Sequence, residues 1–294
     1  MRIQNKLFVS INLILATGLL FQPVLWGQRT KSSQRAGEQV KAEKGLKDNR
    51  YYFYFINASI TNFGTDMEKR SFKEAIQRDI FAQLLYMKFL FMESYGEIRK
   101  SQKILIDLYR SILKRDIEDT RKLLNSFAPP VISSMDKTAQ HYLRLGYRDM
   151  KVAETYLEMG DNFREDLFSM RLYKYVHAIK TAKHGKRYAF LCYIAFNRKK
   201  LEATSAGFFN QVYDTVMNAL PNYEDYLSHR EREYLKIERQ IKRVAPSDSL
   251  APFLVLHKDS YYKSRDSKSF YDQVWEDSRL EELEDYKKYR DTTE

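Results

Sequence analysis

The sequence predicts an all-α protein, and three features of the chain lead to this fold class. Glycine and proline are scarce, with 10 and 6 among 294 residues, so long stretches lack the residues that end helices. Apolar residues recur at steps of three and four over several segments, with polar residues between them. Hydrophobic residues make up 44% of the chain, enough to bury a core. We expect a bent, two-lobed molecule, with long helices followed by shorter helical hairpins.

The N-terminus has the three parts of a secretory signal peptide, predicted as residues 1–27. Arg2 and Lys6 give a basic start, an apolar run follows to Leu25, and Gly27 is a small residue suited to cleavage. Polar residues interrupt the run and make it a poor membrane-spanning helix, although an uncleaved anchor is the alternative. Residues 28–48 are polar and basic, and we expect a flexible arm. The sequence predicts an exported, periplasmic protein with no membrane span after cleavage.

The first predicted lobe, residues 49–128, consists of long helices. Six large apolar residues follow one another from Tyr51 to Ile56, and no second strand is nearby, so we interpret this segment as helix. Thr65 and Glu68 have the spacing of a capping box and predict the start of a long amphipathic helix. The lobe is expected to end at Pro129–Pro130, because proline cannot continue a helix and disfavours a helical residue before it.

The second predicted lobe, residues 131–245, consists of shorter helical hairpins. Its segment around Ala153, Tyr156, Gly160 and Asp161 resembles a degenerate tetratricopeptide repeat. In that repeat, small and aromatic residues hold two antiparallel helices around a Gly-Asp turn. The resemblance implies one helical hairpin and no regular array.

The C-terminal segment, residues 246–294, combines many charges with large aromatic rings. A solvated tail gains nothing from such rings, so we expect it to dock on the body of the protein or on a partner. Tyrosine is frequent at protein interfaces, and the chain contains 22 tyrosines. The protein-interaction residues predicted in this segment are Tyr261, Tyr262, Tyr271 and Trp275.

No motif in the sequence supplies a catalytic centre. The chain lacks a His-Glu-x-x-His metal site, a nucleophile elbow, a phosphate-binding loop and a dinucleotide-binding turn. His177 and His184 could share a helix face, but cations near a helix end explain them more simply than a metal does. Cys192 lies in an apolar run, where a small buried residue is expected. We expect a non-enzymatic protein with no cofactor, no metal and no small-molecule substrate.

The chain is strongly basic. Removal of the signal peptide takes away two of its 50 basic residues and lowers the formal net charge from +11 to +9. Such a charge suits nucleic acid in the cytoplasm, but export argues against that partner. Anionic cell-wall polymer, lipid headgroups and an acidic protein surface remain. Basic clusters at 183–187, 198–200 and 242–243 are either solvated helix ends or parts of one basic surface.

Taken whole, the chain resembles the flagellar-coiling proteins of spirochaetes, which form part of the sheath around periplasmic flagellar filaments. The resemblance rests on an exported, basic, helical chain of similar length and on the segment from Arg171 to Lys180, where tyrosines and basic residues alternate. It implies a structural sheath subunit that contacts other sheath proteins and core filament proteins, and that contributes to filament assembly, curvature and motility.

Two other functions stay open. One is a periplasmic helical-repeat adaptor of the cell envelope, which would hold a peptide in a concave groove. The other is an enzyme such as a cell-wall hydrolase, which would need a pocket where acidic groups converge.

Overall fold

The computed structural model describes residues 31–197, 229–244 and 251–293, and the regular secondary structure in these ranges is entirely helical. This confirms the predicted all-α fold class. The predicted signal peptide and the basic cluster at 198–200 lie outside the described residues. The α-helices in these ranges are α1 (Lys31–Phe63), α2 (Asp66–Met87), α3 (Phe91–Ile132), α4 (Lys137–Asn162), α5 (Phe168–Phe196), α6 (His229–Val244), α7 (Ala251–Ser260), α8 (Phe270–Glu276) and α9 (Glu284–Thr293).

Most of the segment predicted as a flexible arm belongs to helix α1. Ala42 and Asn49 are fully buried, and the backbone at Gly45 lies directly against Ile98 of α3. The prediction is wrong for residues 31–48, because it looked for large apolar side chains. Here small residues let two helix backbones approach closely. The helical interpretation of Tyr51–Ile56 is confirmed, since this segment continues α1.

Helix α2 begins at the predicted capping box. The Thr65 hydroxyl accepts a hydrogen bond from the Glu68 backbone N–H (3.2 Å), and the Glu68 carboxylate accepts one from the Thr65 N–H (2.9 Å). Two of the unpaired donors at the helix start are thereby satisfied. The predicted start of this helix is confirmed.

Helices α1 and α3 lie side by side and run in the same direction. The Gln102 side chain of α3 donates to the Asn49 side chain of α1 (3.0 Å). Further along both helices, the Tyr109 hydroxyl of α3 donates to the Tyr52 carbonyl of α1 (2.6 Å). Helix α2 packs antiparallel to α3 as the first arm of a hairpin, where the Ser94 and Ser101 hydroxyls of α3 donate to the Ala82 and Ala75 carbonyls of α2. This register fixes which parts of α1 and α3 lie at the same level.

Helix α3 contains the proline pair that was expected to end the first lobe. It has 42 residues and runs through Pro129 and Pro130 to Ile132, a length of about 63 Å at 1.5 Å per residue. The predicted boundary is wrong, because the prolines lie in the last turn of the helix and the fully buried Val131 holds that turn against the core. One continuous hydrophobic cluster, which extends from Tyr52 to Val274, includes residues from both predicted lobes.

Helices α4 and α5 form an antiparallel hairpin around the turn that follows Gly160. A Cβ at Gly160 would overlap the ring of Tyr175, so glycine is needed for the two helices to approach. This is the arrangement that the tetratricopeptide-like segment implied. Contacts between α5 and α3 follow the same order along both helices. The ring centroids are 6.3 Å apart at Tyr109–Tyr175 and 5.2 Å apart at Phe127–Tyr193. Helix α5 therefore runs parallel to α1 and α3.

The C-terminal helices dock on the body of the protein. The ring of Tyr271 in α8 lies 5.4 Å from Phe53 of α1, and the ring of Tyr286 in α9 lies 5.5 Å from Phe81 of α2. Since the rings pack on α1 and α2, the tail completes the core.

Candidate binding surface

A buried cluster of charged side chains holds helix α5 in place. Lys186 lies 3.1 Å from Asp116 of α3 and 2.8 Å from Asp259 of α7. Lys183 lies 3.4 Å from Asp259, which also accepts a hydrogen bond from Ser59 of α1 (2.9 Å). All five residues are buried. The cluster joins four helices, and the loss of one partner would leave an uncompensated buried charge.

The two lysines keep Asp259 ionised inside the protein. Burial alone would raise the pKa of Asp259, but the charges of Lys183 and Lys186 outweigh it and lower that pKa to about 2. Burial also acts against the charged form of Lys186, yet Asp116 and Asp259 together raise its pKa. Two cations and two anions balance, so we assign the cluster a structural role.

This cluster corrects the interpretation of residues 183–187 as a solvated helix end. The segment lies in the interior of α5, which continues to Phe196. Lys183 and Lys186 point into the core, whereas His184 and Arg187 reach the surface. Sequence spacing alone could not separate the two pairs, because the neutralising aspartates come from distant parts of the chain.

The outer face of α5 carries positive charge without acidic residues. The 29-residue helix contains six lysines and arginines and no aspartate or glutamate. Its accessible positions recur at steps of three and four, as one stripe of a helix does. An open pocket of about 170 Å³ lies on this stripe and extends to the end of α7. We call the accessible residues the α5 basic surface: Lys174, His177, Lys180, Thr181, His184 and Arg187.

The cations of the α5 basic surface lie against aromatic rings. Such contacts favour a cation through the ring's electron density and leave its charge uncompensated. Neither Lys180 nor Arg187 forms an ion pair with a carboxylate among the described residues. The cation-to-ring distances are 5.7 Å for Lys174 over Tyr156, 5.3 Å for Lys180 over Phe55 and 3.9 Å for Arg187 over Tyr261.

Tyr262 forms the edge of the pocket and has an unusual backbone conformation. Its φ is 58°, in the left-handed region that favours glycine. It follows α7, where the Lys263 N–H donates to the Lys258 carbonyl (2.8 Å), the hydrogen bond of a helix C-terminal cap. The ring lies 5.2 Å from Phe55, and the Lys183 ammonium lies 4.2 Å from its centroid. Packing holds the strained residue in position.

Other depressions on the protein differ in their charge. One depression of about 470 Å³ lies between α2 and the start of α9. Arg78 there contacts Glu97 at 3.0 Å and Asp285 at 2.9 Å. Lys73 there also pairs with Glu282 at 2.7 Å. Because Arg78 and Lys73 already have acidic partners, this depression offers an incoming acidic group less than the α5 basic surface does.

Comparison with known families identifies the chain. A protein-family model described as surface protein adhesin OmpL37 matches residues 36–289, which is most of the chain. The protein belongs to the OmpL37 surface-adhesin family. Searches of curated proteins and of solved structures found no match.

The OmpL37 match makes this a surface protein of a binding family. It covers all of α5 and its surroundings, together with most of the segment that was predicted as an arm. The flagellar-coiling family that the sequence resembled is not shown by these comparisons. None of the described helices is both long and apolar enough to span a bilayer.

The four predicted interaction residues of this OmpL37-family protein lie in different settings. Tyr261 is 7% exposed and belongs to a second hydrophobic cluster with Phe190. Tyr262 lines the pocket of the α5 basic surface, and Arg187 of that surface lies over the Tyr261 ring at 3.9 Å. Tyr271 is half-buried, and Trp275, 41% exposed, stacks on it at 5.9 Å. Arg187 belongs to the cluster at 183–187 that the sequence offered as part of a basic surface. Sequence reasoning did not assign Lys174 and Lys180 to that surface, although the absence of acidic residues from 168 to 196 was a usable signal.

The two histidines of the surface, His177 and His184, line the same pocket. Seven residues of helix separate His177 from His184, a rise of about 10 Å. Among the described residues, no three His, Cys, Asp or Glu side chains come together as a metal site would require. Burial, followed by the charges of Lys180 and Lys174, lowers the pKa of His177 below its ordinary 6.5. His177 is therefore neutral at pH 7.

Cys192 is buried, as predicted. Burial raises the pKa of its thiol to about 11. A protonated thiol is a poor nucleophile, so Cys192 contributes to packing.

Proposed function

We propose that this protein is a non-enzymatic surface adhesin that attaches to an acidic region of a partner protein through the α5 basic surface. The observation that carries the proposal is a 29-residue helix without acidic residues whose outward cations lie on aromatic rings. Membership of an adhesin family supports binding as the activity. The charge of the surface supports an acidic ligand.

The physical basis is electrostatic attraction completed by contact with rings. Accessible cations that lack a carboxylate partner in the described part of the chain attract acidic groups and speed their encounter, and this effect weakens as salt rises. Arginine and tyrosine then supply contacts of the kind that is common at the hot spots of protein interfaces, where a few residues contribute most of the binding energy. Arg187 and Tyr262 occupy such positions at the pocket.

Binding to poly-L-glutamate, a simple acidic polypeptide, tests this proposal. Replacing Lys174 and Lys180 together with glutamate should weaken binding about tenfold, since two attractive contacts become repulsive. The matched control replaces Lys41 and Lys44 of α1, which are also accessible, and changes the net charge by the same amount.

Equal weakening in the two variants would mean that net charge alone drives binding, and the proposal would be wrong. Tighter binding to heparin than to poly-L-glutamate, lost in the α5 variant, would assign the surface to an acidic polysaccharide. That result would contradict a protein partner.

A flagellar-sheath role is a separate proposal that rests on the sequence resemblance alone. The family match does not support it, and it requires contacts with sheath and core filament proteins. Locating the protein on purified filaments would support this role, whereas filaments free of the protein would end it.

A further inference from the structure

The turn between α2 and α3 exposes three large apolar side chains within six residues. Met87, Phe89 and Met92 are 67%, 65% and 60% exposed. Single exposed apolar residues are ordinary, but a group of them marks an interaction site. We call this group the Phe89 turn.

The backbone of the Phe89 turn is strained at its centre. Phe89 has φ 61°, and the Leu90 N–H donates to the Leu85 carbonyl (3.0 Å) in a helix C-terminal cap. Glycine is the usual residue at this position, and a bulky residue costs about 1 kcal/mol there. The Phe89 ring touches Phe91 edge-on at 6.1 Å but stays largely in solvent. Packing within the chain does not offset the strain.

The Phe89 turn lies at the end of the molecule where the N-terminal chain enters. Because Asn49 pairs with Gln102 and the two helices are parallel, residues near Val40 lie beside the first turn of α3. Val40 is also exposed. Helix α1 begins at Lys31, about 13 Å before Val40 along the helix.

Lysines lie near the same end, together with the exposed carboxylate of Glu93. The Lys88 ammonium lies 5.1 Å from the ring of Tyr289 in α9, which brings this helix to the turn. Lys287 and Lys288 of α9 are exposed. Large apolar groups flanked by lysines are the pattern by which proteins settle into the interface of an anionic bilayer.

We infer that the Phe89 turn docks on a lipid bilayer surface, with Met87, Phe89 and Met92 in the interfacial region and the lysines against anionic headgroups. A bilayer accommodates projecting side chains without a complementary groove. The α5 basic surface lies beside Tyr109 to Asp116 of α3, about 30 Å along that helix from the turn, and stays accessible.

An environment-sensitive fluorophore on a single introduced cysteine tests where the full chain meets lipid. Met92→Cys places it at the turn, and Met135→Cys places it at the opposite end of α3, where the side chain is also exposed. The chain's own Cys192 is buried. With vesicles of phosphatidylcholine and phosphatidylglycerol, we expect a blue shift and a rise in emission at position 92 and no change at 135. Equal responses, or none, would overturn the inference.

Side-chain replacement gives a second measurement. The triple change Met87→Ser, Phe89→Ser and Met92→Ser should reduce the vesicle-bound fraction of the full chain about tenfold, since apolar area is lost from the interface. Its melting temperature should stay near that of the wild type, because the three side chains are exposed. Ile132→Ser with Met135→Ser is the matched control at the far end.

Unchanged vesicle binding by the triple variant would overturn the inference. A wild-type dimer in sedimentation that the triple variant abolishes, without any response to vesicles, would also overturn it and assign the turn to a second copy of the chain.

Discussion

The turns at Phe89 and Tyr262 have the same backbone conformation and opposite side-chain environments. Each places an aromatic residue at positive φ just after a helix, where glycine is usual, and these are the two non-glycine residues with positive φ among those described. The Tyr262 ring packs between Phe55 and Lys183. The Phe89 ring is mostly in solvent.

The two turns share backbone strain but differ in the side-chain contacts that offset it. At Tyr262, ring contacts and the neighbouring ion cluster fix the turn, and the same ring borders the α5 basic surface. At Phe89 the ring contact that the described residues supply is the edge-on one with Phe91, and most of the ring stays exposed. A strained backbone alone identifies neither a structural nor a functional role; the environment of the side chain does.

The largest expected effect concerns the ion cluster that fixes the Tyr262 turn. Asp259→Ala should lower the free energy of unfolding by about 3–5 kcal/mol, because Lys183 and Lys186 then share one buried carboxylate. Denaturant unfolding measures this, with Asp266→Ala in an exposed part of the tail as control. A loss below about 1 kcal/mol would mean that the cluster does not hold the turn.

The same cluster predicts an acid-sensitive part of the stability. The pKa of Asp259 is lowered to about 2 in the folded protein, from 3.8. Its contribution, about 2 kcal/mol, is therefore complete above pH 4 and is lost as the pH falls toward 2. Asp259→Asn should remove this dependence, measured as the difference from wild type across that range. Parallel curves for the two proteins would contradict the assignment.

The aromatic residues of the C-terminal segment, like the Tyr262 ring, pack on the body of the protein. Tyr271→Ala with Trp275→Ala should lower the unfolding free energy by about 3 kcal/mol, because the rings pack on Phe53 and on each other. Thermal unfolding followed by circular dichroism measures the loss. An unchanged melting temperature would instead leave both residues available for a partner, as the sequence predicted.

Substitution by glycine should change stability in opposite directions at the two turns. Phe89→Gly should raise the unfolding free energy by about 0.5–1 kcal/mol, because the strain is relieved and little packing is lost. Tyr262→Gly should lower it by about 1–2 kcal/mol, since lost ring contacts outweigh the same relief. Shifts of the same sign at the two turns would contradict the account.

The smallest expected effect is the pH dependence of ligand binding. The pKa of His177 is below 6.5, so the histidine gains its charge only as the pH falls below that value. Binding to poly-L-glutamate should strengthen roughly twofold between pH 7 and pH 5, before the glutamates lose charge. His177→Gln should flatten this change, and an undiminished change would exclude His177.

The sequence allowed local structure to be predicted where local chemistry decides it. The cap at Thr65, the helix at Tyr51–Ile56 and the hairpin beyond Gly160 depend on neighbouring residues. The first half of α1 was missed because its packing relies on small residues against Ile98. The proline pair misled because the fully buried Val131 keeps the last turn of α3 helical.

The candidate surface was only partly predictable for a related reason. The basic segments of α5 were evident, but the sequence could not show which cations are neutralised inside. Lys186 and Asp259 are 73 residues apart and meet only in the folded protein. The tail tyrosines drew notice as interface residues, whereas Lys180 and Arg187 carry the surface that Tyr262 borders.

The central claim is that ligand binding and lipid docking use separate surfaces, the α5 basic surface beside Tyr262 and the Phe89 turn. The most direct test measures the affinity of the full chain for poly-L-glutamate, free and bound to phosphatidylcholine–phosphatidylglycerol vesicles. The account predicts equal affinities, with the chain still on the vesicles after the polymer has bound. Release of the chain from the vesicles by the polymer would contradict it, because both would then compete for one basic face.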